Sequence, residues 1–460
     1  MMKFKSDGKE SENAIVQSDI DELDEIAGYD PNPAPIPDYK PPKVGRFSHS
    51  EFGDELIAEH HIITLNGKIY IYDDRYYKQD TDRIIEKKMI EIYPDIKRQQ
   101  RAEVLDYTRI KTLVNPEDIK SNPYIINVEN TRLDLKTGKM LKFTPEAIEF
   151  DRIPVSYDPT AYSRDLDKML NKVFRQDQEI RALFEEMVGY CLIKHCKYEK
   201  GFLFTGSGSN GKSTILELIK TFLGSQNYSS LELDKVTAQF KTSLLENKLA
   251  NIGDDINSKA LSDTGTLKKL FSGQSLVAEN KGKDPFTLRS HAKHIYSCNE
   301  IPRSYDKTDG FYRRWVMIPF NAKFSEKDPD FDPLIGEKIT TPTALSYLLN
   351  MAIEGAQRLI RKGQFTKPQI VTEALENYKI NNSLVLSWIS ENELDRDGLT
   401  QKPRDELYLN FEGWCRISNI KDYPDKRRFD REIMDQYNVT KKQKRISGDS
   451  DKRALFYEKT

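Results

Sequence analysis

The sequence predicts an α/β core, preceded by an α+β domain and followed by a winged-helix-like block. Three observations predict it. Residues 200–322 alternate short apolar strands with helices, the pattern of a sheet covered by helices. Within them "GFLFTGSGSNGKSTIL" (201–216) sets a glycine-rich turn between a strand, Gly201–Thr205, and a helix, Ser213–Leu223, that Gly224 ends. Residues 381–460 order helices, around 404–417 and 426–437, ahead of a two-stranded basic tail.

Residues 1–49 read as a disordered acidic and Pro-rich tail. The first 30 carry nine acids against three lysines, and "PNPAPIPDYKPP" (31–42) holds six prolines. Such composition buries too little apolar surface to fold, and proline runs stay extended. Residues 50–196 read as the α+β domain. "HIITLNGKIYIYDDRYYKQ" is a hairpin turned at Asn66-Gly67, residue types that accept positive φ. Residues 81–112 have helical character. "NPYIINVENTRLDLKTGKMLKFTPE" (122–146) reads as short strands turned at Thr137-Gly138. Residues 163–196 read as two helices, with Leu166, Leu170, Val173 and Phe174, then Leu183, Phe184, Met187 and Val188, at helical spacing. "CLIKHC" sets Cys191, His195 and Cys196 close together on a helix reading, but no second ligand pair follows, so zinc is not expected.

Residues 197–380 form the core, and its turn spells two motifs at once. Gly206, Gly208 and Gly211 fit the dinucleotide fingerprint. Gly206, Gly211, Lys212 and Ser213 fit the P-loop. Both cradle phosphate on backbone N–H groups at a helix N-terminus, so Gly206, Ser207, Gly208, Ser209, Asn210, Gly211, Lys212, Ser213 and Thr214 are the candidate nucleotide-binding residues. Lys212 favours the P-loop, because an ammonium is needed at the β and γ phosphates and a hydroxyl, Ser213, at Mg²⁺. Its side chain is expected to face ligand rather than core. A dinucleotide site needs an acid about 20 residues on, and Glu232 stands near that distance.

Downstream, "NKLANIGDD" (247–255) is a short strand ending in Asp254-Asp255. One such acid suits Mg²⁺ and the other polarises an attacking water, which makes Ser213 and Asp254 the candidate metal ligands. "HAKHIYSCNEIP" ends a third strand at Asn299, a candidate for positioning water. "DGFYRRWVMIPF" sets Arg313 and Arg314 just ahead of a further strand, where one can stabilise transition-state charge in a neighbouring subunit.

Taken together, "GSGSNGKST", "LANIGDD", "SCNEIP" and "FYRRWVMIPF", in that order within about 115 residues, resemble the superfamily 3 helicases of the phage and plasmid primase–helicase family, related to the poxvirus primase-helicase. "NTRLDLKTGKMLKFTPE", "IPVSYDPTAY" and "EEMVGYCL" resemble that family's N-terminal helicase-associated region. The resemblance implies an AAA+-like ATPase that assembles as a homo-oligomeric ring, a hexamer, and moves along single-stranded or forked DNA using ATP and Mg²⁺. It also implies that Lys212, Asp254, Asp255, Asn299 and an arginine of the 313–314 pair are catalytic. The family sets a basic hairpin before the sensor strand, and "SLVAENKGKDPFTLRS" fits it, with Lys281 and Lys283 around Gly282 at the tip. Many relatives carry a primase domain ahead of the helicase. The roughly 50 residues before the α+β domain are too few for one, so this chain is expected to rely on a separate primase or other replication proteins.

Residues 381–460 resemble the family's winged-helix end loosely. Lys441, Lys442, Lys444 and Arg445 form a tight basic run that could contact DNA. The net charge of −2 requires any nucleic acid to be held by such local patches. No apolar run approaches the length of a membrane span, the N-terminus lacks a signal-peptide core, and four cysteines fit a reducing compartment; a cytoplasmic protein is expected. The leading reading is an ATP-dependent DNA helicase of a phage or mobile element. A DNA-binding initiator or loader ATPase without processive unwinding is the alternative, and a dinucleotide-binding oxidoreductase the distant one.

Overall fold

The structure is a computed structural model that describes residues 47–459, apart from 81, 82, 120, 255, 257–260, 262, 283, 305, 330, 447 and 448. Asp255, Lys283 and tail residues 1–46 therefore lie outside the described residues. The chain divides into two units, residues 1–52 and 53–460, and every described sheet belongs to the second.

Past the helix His49–His60, β1 (Ile63–Leu65), β2 (Lys68–Tyr72) and β3 (Tyr77–Gln79) form an antiparallel sheet. Asn66 and Gly67 turn β1 into β2 with φ of 50° and 71°, as the hairpin reading expects. The helical stretch splits into Ile84–Ile92 and Arg98–Lys111, because Pro94 drives Tyr93 out of helical geometry. A second antiparallel sheet holds β4 (Ile125–Asn127), β5 (Arg132–Asp134) and β6 (Met140–Leu141), with Gly138 at φ 70° in the expected turn. Helices Arg164–Val173 and Gln178–Leu192 follow, capped by the side chains of Ser163 and Asp177. His195 and Cys196 lie beyond the second helix, which corrects the helical reading of "CLIKHC". Ile193 has already turned extended, and His195 Nε2 is 3.0 Å from the Tyr124 hydroxyl.

The core sheet has five parallel strands: β7 (Gly201–Thr205), β8 (Tyr228–Ser229), β9 (Ala250–Gly253), β12 (Lys293–Cys298) and β13 (Trp315–Pro319). Their spatial order is β13-β7-β12-β9-β8. Between β9 and β12 come the helix Thr264–Ser272 and a hairpin of β10 (Leu276–Ala278) and β11 (Phe286–Leu288). Every residue of β12 is buried, as expected of a central strand covered on both faces. That burial includes a lysine: Lys293 donates to the carbonyls of Ile193 and His291 and stands 4.7 Å from the Tyr190 ring centre.

On one face, Gln178–Leu192 crosses the long helix Pro342–Lys362 at backbone distance. A Cβ on Gly189 would stand 2.3 Å from the Ala352 carbonyl oxygen, and one on Gly355 would stand 2.2 Å from that of Glu185. Close approach, not backbone freedom, requires glycine at both positions. Glu186 is buried at this crossing, where it accepts from Arg358 Nε at 2.9 Å and the Thr366 N–H at 2.7 Å.

The C-terminal block follows the helix Gln369–Asn381. It has helices Leu384–Glu391, Arg396–Gln401, Arg404–Ile417 and Lys426–Tyr437, then an antiparallel pair, β14 (Val439–Ile446) and β15 (Asp449–Lys459). The last two helices and the strand pair match the sequence reading, whereas the first two were not read from it. Trp388, Phe411, Phe429 and Tyr457 give the block its own core.

Gly355→Ala is expected to lower unfolding stability by about 1–3 kcal/mol, the usual cost of forcing atoms into a packed contact. Gly336→Ala, with nothing within 4 Å of the added carbon, should stay within about 0.5 kcal/mol of the native protein. Urea denaturation checks both; equal midpoints for the two variants would refute the close crossing.

Candidate active site

Parallel strands end on the same side of a sheet, so the loops that follow adjacent strands gather in one crevice. Here β12 runs between β7 and β9, with Cys298 opposite Thr205 and Tyr296 opposite Gly253. That register sets Asn299 beside Gly206 and brings Ser297 level with Asp254. Three of the segments singled out in the sequence therefore meet at one edge.

The loop between β7 and the helix Lys212–Leu223 is shaped from within. Asn210 is buried, and its side-chain amide donates to the Phe320 carbonyl at 3.1 Å, tying the loop to the end of β13. A Cβ on Gly206 would lie 2.2 Å from that amide nitrogen, so only glycine fits there. Gly211 caps the helix at φ 87°, with room for a Cβ only 3.1 Å from Val173. Ser207, Gly208, Ser209 and Ser213 are exposed and Thr214 is half-buried. Exposed N–H groups at the start of a 12-residue helix suit an anion.

Lys212 is only 6% exposed, which corrects the expectation that its side chain stays clear of the interior. Its long stem is covered while its ammonium reaches polar partners. It donates to the Gly206 carbonyl at 2.6 Å, to Asn210 Oδ1 at 3.2 Å and to Asn299 Oδ1 at 3.2 Å. Across β12, the Ser297 hydroxyl donates to the Asp254 carboxylate. Sequence reading missed Ser297; only its place in a strand paired with β9 could have hinted at it, and that pairing is not local.

Glu232 follows β8 at the sheet edge, with β9 and β12 between it and β7, and pairs with Lys235 at 2.7 Å. A dinucleotide fold needs its acid on the strand next to the glycine-rich one. Glu232, the acid that the dinucleotide reading would use, is thus out of position.

Comparison with known proteins points the same way. Residues 49–175 match the family described as "D5 N terminal like", and residues 204–314 match a "Family of unknown function (DUF5906)". The chain is 24% identical over 368 residues to "Putative helicase 121R" of Invertebrate iridescent virus 3, covering 72% of this chain and 39% of that protein. It is 25% identical over 351 residues to "Putative helicase L207/L206" of Acanthamoeba polyphaga mimivirus, covering 70% and 36%. The chain thus spans under two fifths of the length of these relatives. Together the matches support a primase-helicase-like family. The solved structure titled "The A form apo structure of NrS-1 C terminal region-CTR" shares the fold, with a TM-score of 0.54 at 12% identity over 90% of this chain and 99% of that one.

The arginine pair stands at the other end of the sheet. The Gly201 N–H donates to the Arg314 carbonyl at 2.8 Å, at the start of β7. The five residues of β7 separate it from Gly206, roughly 17 Å of strand. The two arginines differ. Arg314 has an 11% exposed side chain that pairs with Glu199 at 2.8 Å and donates to Ser272 Oγ at 3.1 Å. The Arg313 side chain is 58% exposed and lies 3.8 Å from Glu199.

The β10–β11 hairpin forms as read, with Lys281 and Gly282 exposed at its tip and Gly282 at φ 76°. In the basic run, Lys441 pairs at 2.7 Å with Asp430, a buried carboxylate that also accepts from Tyr457. Lys442 and Lys444 share Glu458 at 3.0 and 3.5 Å, and Arg445 is exposed. Among the described residues, no helix is long and apolar enough to cross a membrane.

Arg314→Ala should cost about 1–3 kcal/mol of stability, because it strips partly buried hydrogen bonds from a charged donor. Arg313→Ala should change stability by no more than about 0.5 kcal/mol. Denaturation midpoints separate the two, and the reverse ranking would exchange their roles.

Proposed function

We propose that the chain is an ATP-dependent DNA helicase acting as a homo-oligomeric ring in the replication of a phage or mobile element. One observation carries this reading. The Lys212 ammonium, on the glycine-rich loop, is hydrogen-bonded to Asn299 at the end of β12, with Asp254 at the end of β9 beside it. A phosphate-binding lysine, a polar sensor and an acid are the parts that nucleoside triphosphate hydrolysis requires in one place. The names of the viral relatives support the extension to DNA unwinding.

In this reading the N–H groups of residues 207–213 receive the phosphates. Lys212 donates to phosphate oxygens, to which its hydrogen bonds are charge-assisted and strong. Asn299, freed from Lys212, orients the attacking water. Ser297 fixes the rotamer of Asp254 by donating to one of its oxygens. Asp255 supplies the second acid. The residues fit Mg²⁺, which binds through one or two carboxylates plus phosphate and water: Ser213 and Asp254 would hold it, and it would neutralise charge developing on the β and γ oxygens.

Arg313 is the finger in this reading. It is exposed and stands at the far end of β7 from its own chain's loop, so it serves a neighbouring subunit. Lys281 and Lys283 grip DNA phosphates from the hairpin. The block 381–460 acts as a winged helix, with Arg445 and the outer lysines of the basic run as its contacts, while Lys441 is engaged with Asp430.

Lys212→Ala should abolish ATP hydrolysis. Arg313→Ala should keep ATP binding and lose about 10³- to 10⁵-fold in turnover. Mixing the two variants should restore part of the activity, since an intact loop and an intact finger then meet across some interfaces. A steady-state ATPase assay decides, and no recovery on mixing would count against the ring.

Lys281→Ala should weaken single-stranded DNA binding for every sequence and lower its salt slope by roughly 0.7. DNA-independent ATP hydrolysis should survive while unwinding of a forked duplex fails. Native unwinding by this variant would remove the hairpin from the mechanism.

A further inference from the structure

The glycine-rich loop has two unlike flanks. On the β12 side stand Asn299 and Asp254, both polar and exposed. On the β13 side the chain leaves Pro319 and returns across the loop, and a cavity of about 300 Å³ opens between this return and the helix Arg164–Val173. Ser209, Gly211 and Thr214 form the wall that it shares with the loop. Met169, Phe324, Phe331 and Ile335 form its apolar walls. Asp165, Lys168 and Asp332 stand at its rim.

The walls are tied to the loop. The Phe324 N–H donates to the Ser209 carbonyl at 2.9 Å, so this ring keeps its position relative to the phosphate-binding backbone. The ring also lies against Gly211, where an added Cβ would come within 3.3 Å of it. The Lys172 ammonium braces the ring at 4.9 Å from its centre. Phe331, which also lines the cavity, is 37% exposed.

A nucleoside triphosphate has a charged end and a flat, aromatic end. The loop and the acid flank satisfy the first. An apolar slot next to the same loop residues, at the small end of the range for ligand pockets, matches the second. Aromatic side chains bind bases by stacking, which tolerates any base because each has a π-face.

We infer that this cavity takes the nucleobase of the bound nucleotide, stacked on Phe324 and covered by Phe331. The inference rests on the nucleotide reading of the loop proposed above. It adds residues from the helix Arg164–Val173 and from 324–335, none of which belongs to the loop or to the acid pair.

Calorimetry with two probes tests it, ATP and inorganic tripolyphosphate, on the native chain, Phe324→Ala and Phe331→Ala. Both variants should bind ATP about 5- to 100-fold more weakly, the weight of one base–aromatic stack. Tripolyphosphate, which has no base, should bind all three proteins equally. That equality also shows the loop of each variant to be intact, and exposed Phe331 can be truncated without opening the core. Native ATP affinity in both variants would overturn the base site while leaving the phosphate site standing. Equal loss of both probes in Phe331→Ala would overturn it too, since the ring would then be supporting the loop. A native chain that binds tripolyphosphate and ATP with the same affinity makes no use of a base and overturns it directly. A native chain that binds neither probe overturns the nucleotide reading, and this inference with it.

Discussion

Parallel pairing of β12 between β7 and β9 is the constraint on which the site depends. No side chain of the loop reaches Asp254 or Asn299 by sequence proximity; the sheet carries them there. Because β12 pairs in register with both neighbours, Cys298 ends level with Thr205, and Tyr296 with Gly253. Asn299 then falls within reach of Lys212, and Ser297 within reach of Asp254. Reversing or shifting β12 by one residue would turn every side chain of the strand to the other face and would dissolve both contacts at once.

The rest of the chain holds that sheet in place. The crossing at Gly189 and Gly355 lets two helices approach at backbone distance and cover one face with Leu, Met and Tyr side chains. Two charged groups are buried in company: Glu186 with Arg358 and Thr366, and Lys194 with Glu149 and with Asp151 at 2.7 Å. Removing one partner from such a group leaves an uncompensated charge, which costs far more than the pair contributes. Burial alone would lower the Lys194 pKa, but the two carboxylates outweigh it and raise the value, so the ammonium persists. This trio ties the segment 149–151, which follows β6, to the residues just before β7, and hence the α+β part to the core.

The sheet also gives the site a direction. The candidate site residues gather at the carboxyl ends of β7, β9 and β12, while Arg313, just before β13, lies toward the amino ends. One chain cannot fold Arg313 back to its own Lys212 along a strand that separates them. In the proposed reading, use of both groups therefore calls for two copies of the chain. Partition of the two arginines follows from packing. Arg314 is consumed by Glu199 and Ser272, and only Arg313 keeps a largely exposed guanidinium.

Local chemistry was legible in the sequence. Gly201–Thr205 as a strand and Gly224 as the end of the following helix were readable because apolar runs, capping and glycine conformations act over a few residues. The Asn66-Gly67 and Thr137-Gly138 turns were readable for the same reason. Lys212 and Asp254 were legible as residue types, and their order along the chain was enough to nominate them. The helices Leu384–Glu391 and Arg396–Gln401 were not, being short and closely spaced. The partners were decided by tertiary structure alone: Lys212 with Asn299, Ser297 with Asp254, Arg314 with Glu199, Lys441 with the buried Asp430. Phe324 and Met169 likewise come together beside Gly211 from segments about 150 residues apart. Sequence spacing encodes which face of an element a residue occupies, but strand order and register, set by burial across the whole core, decide what that face meets.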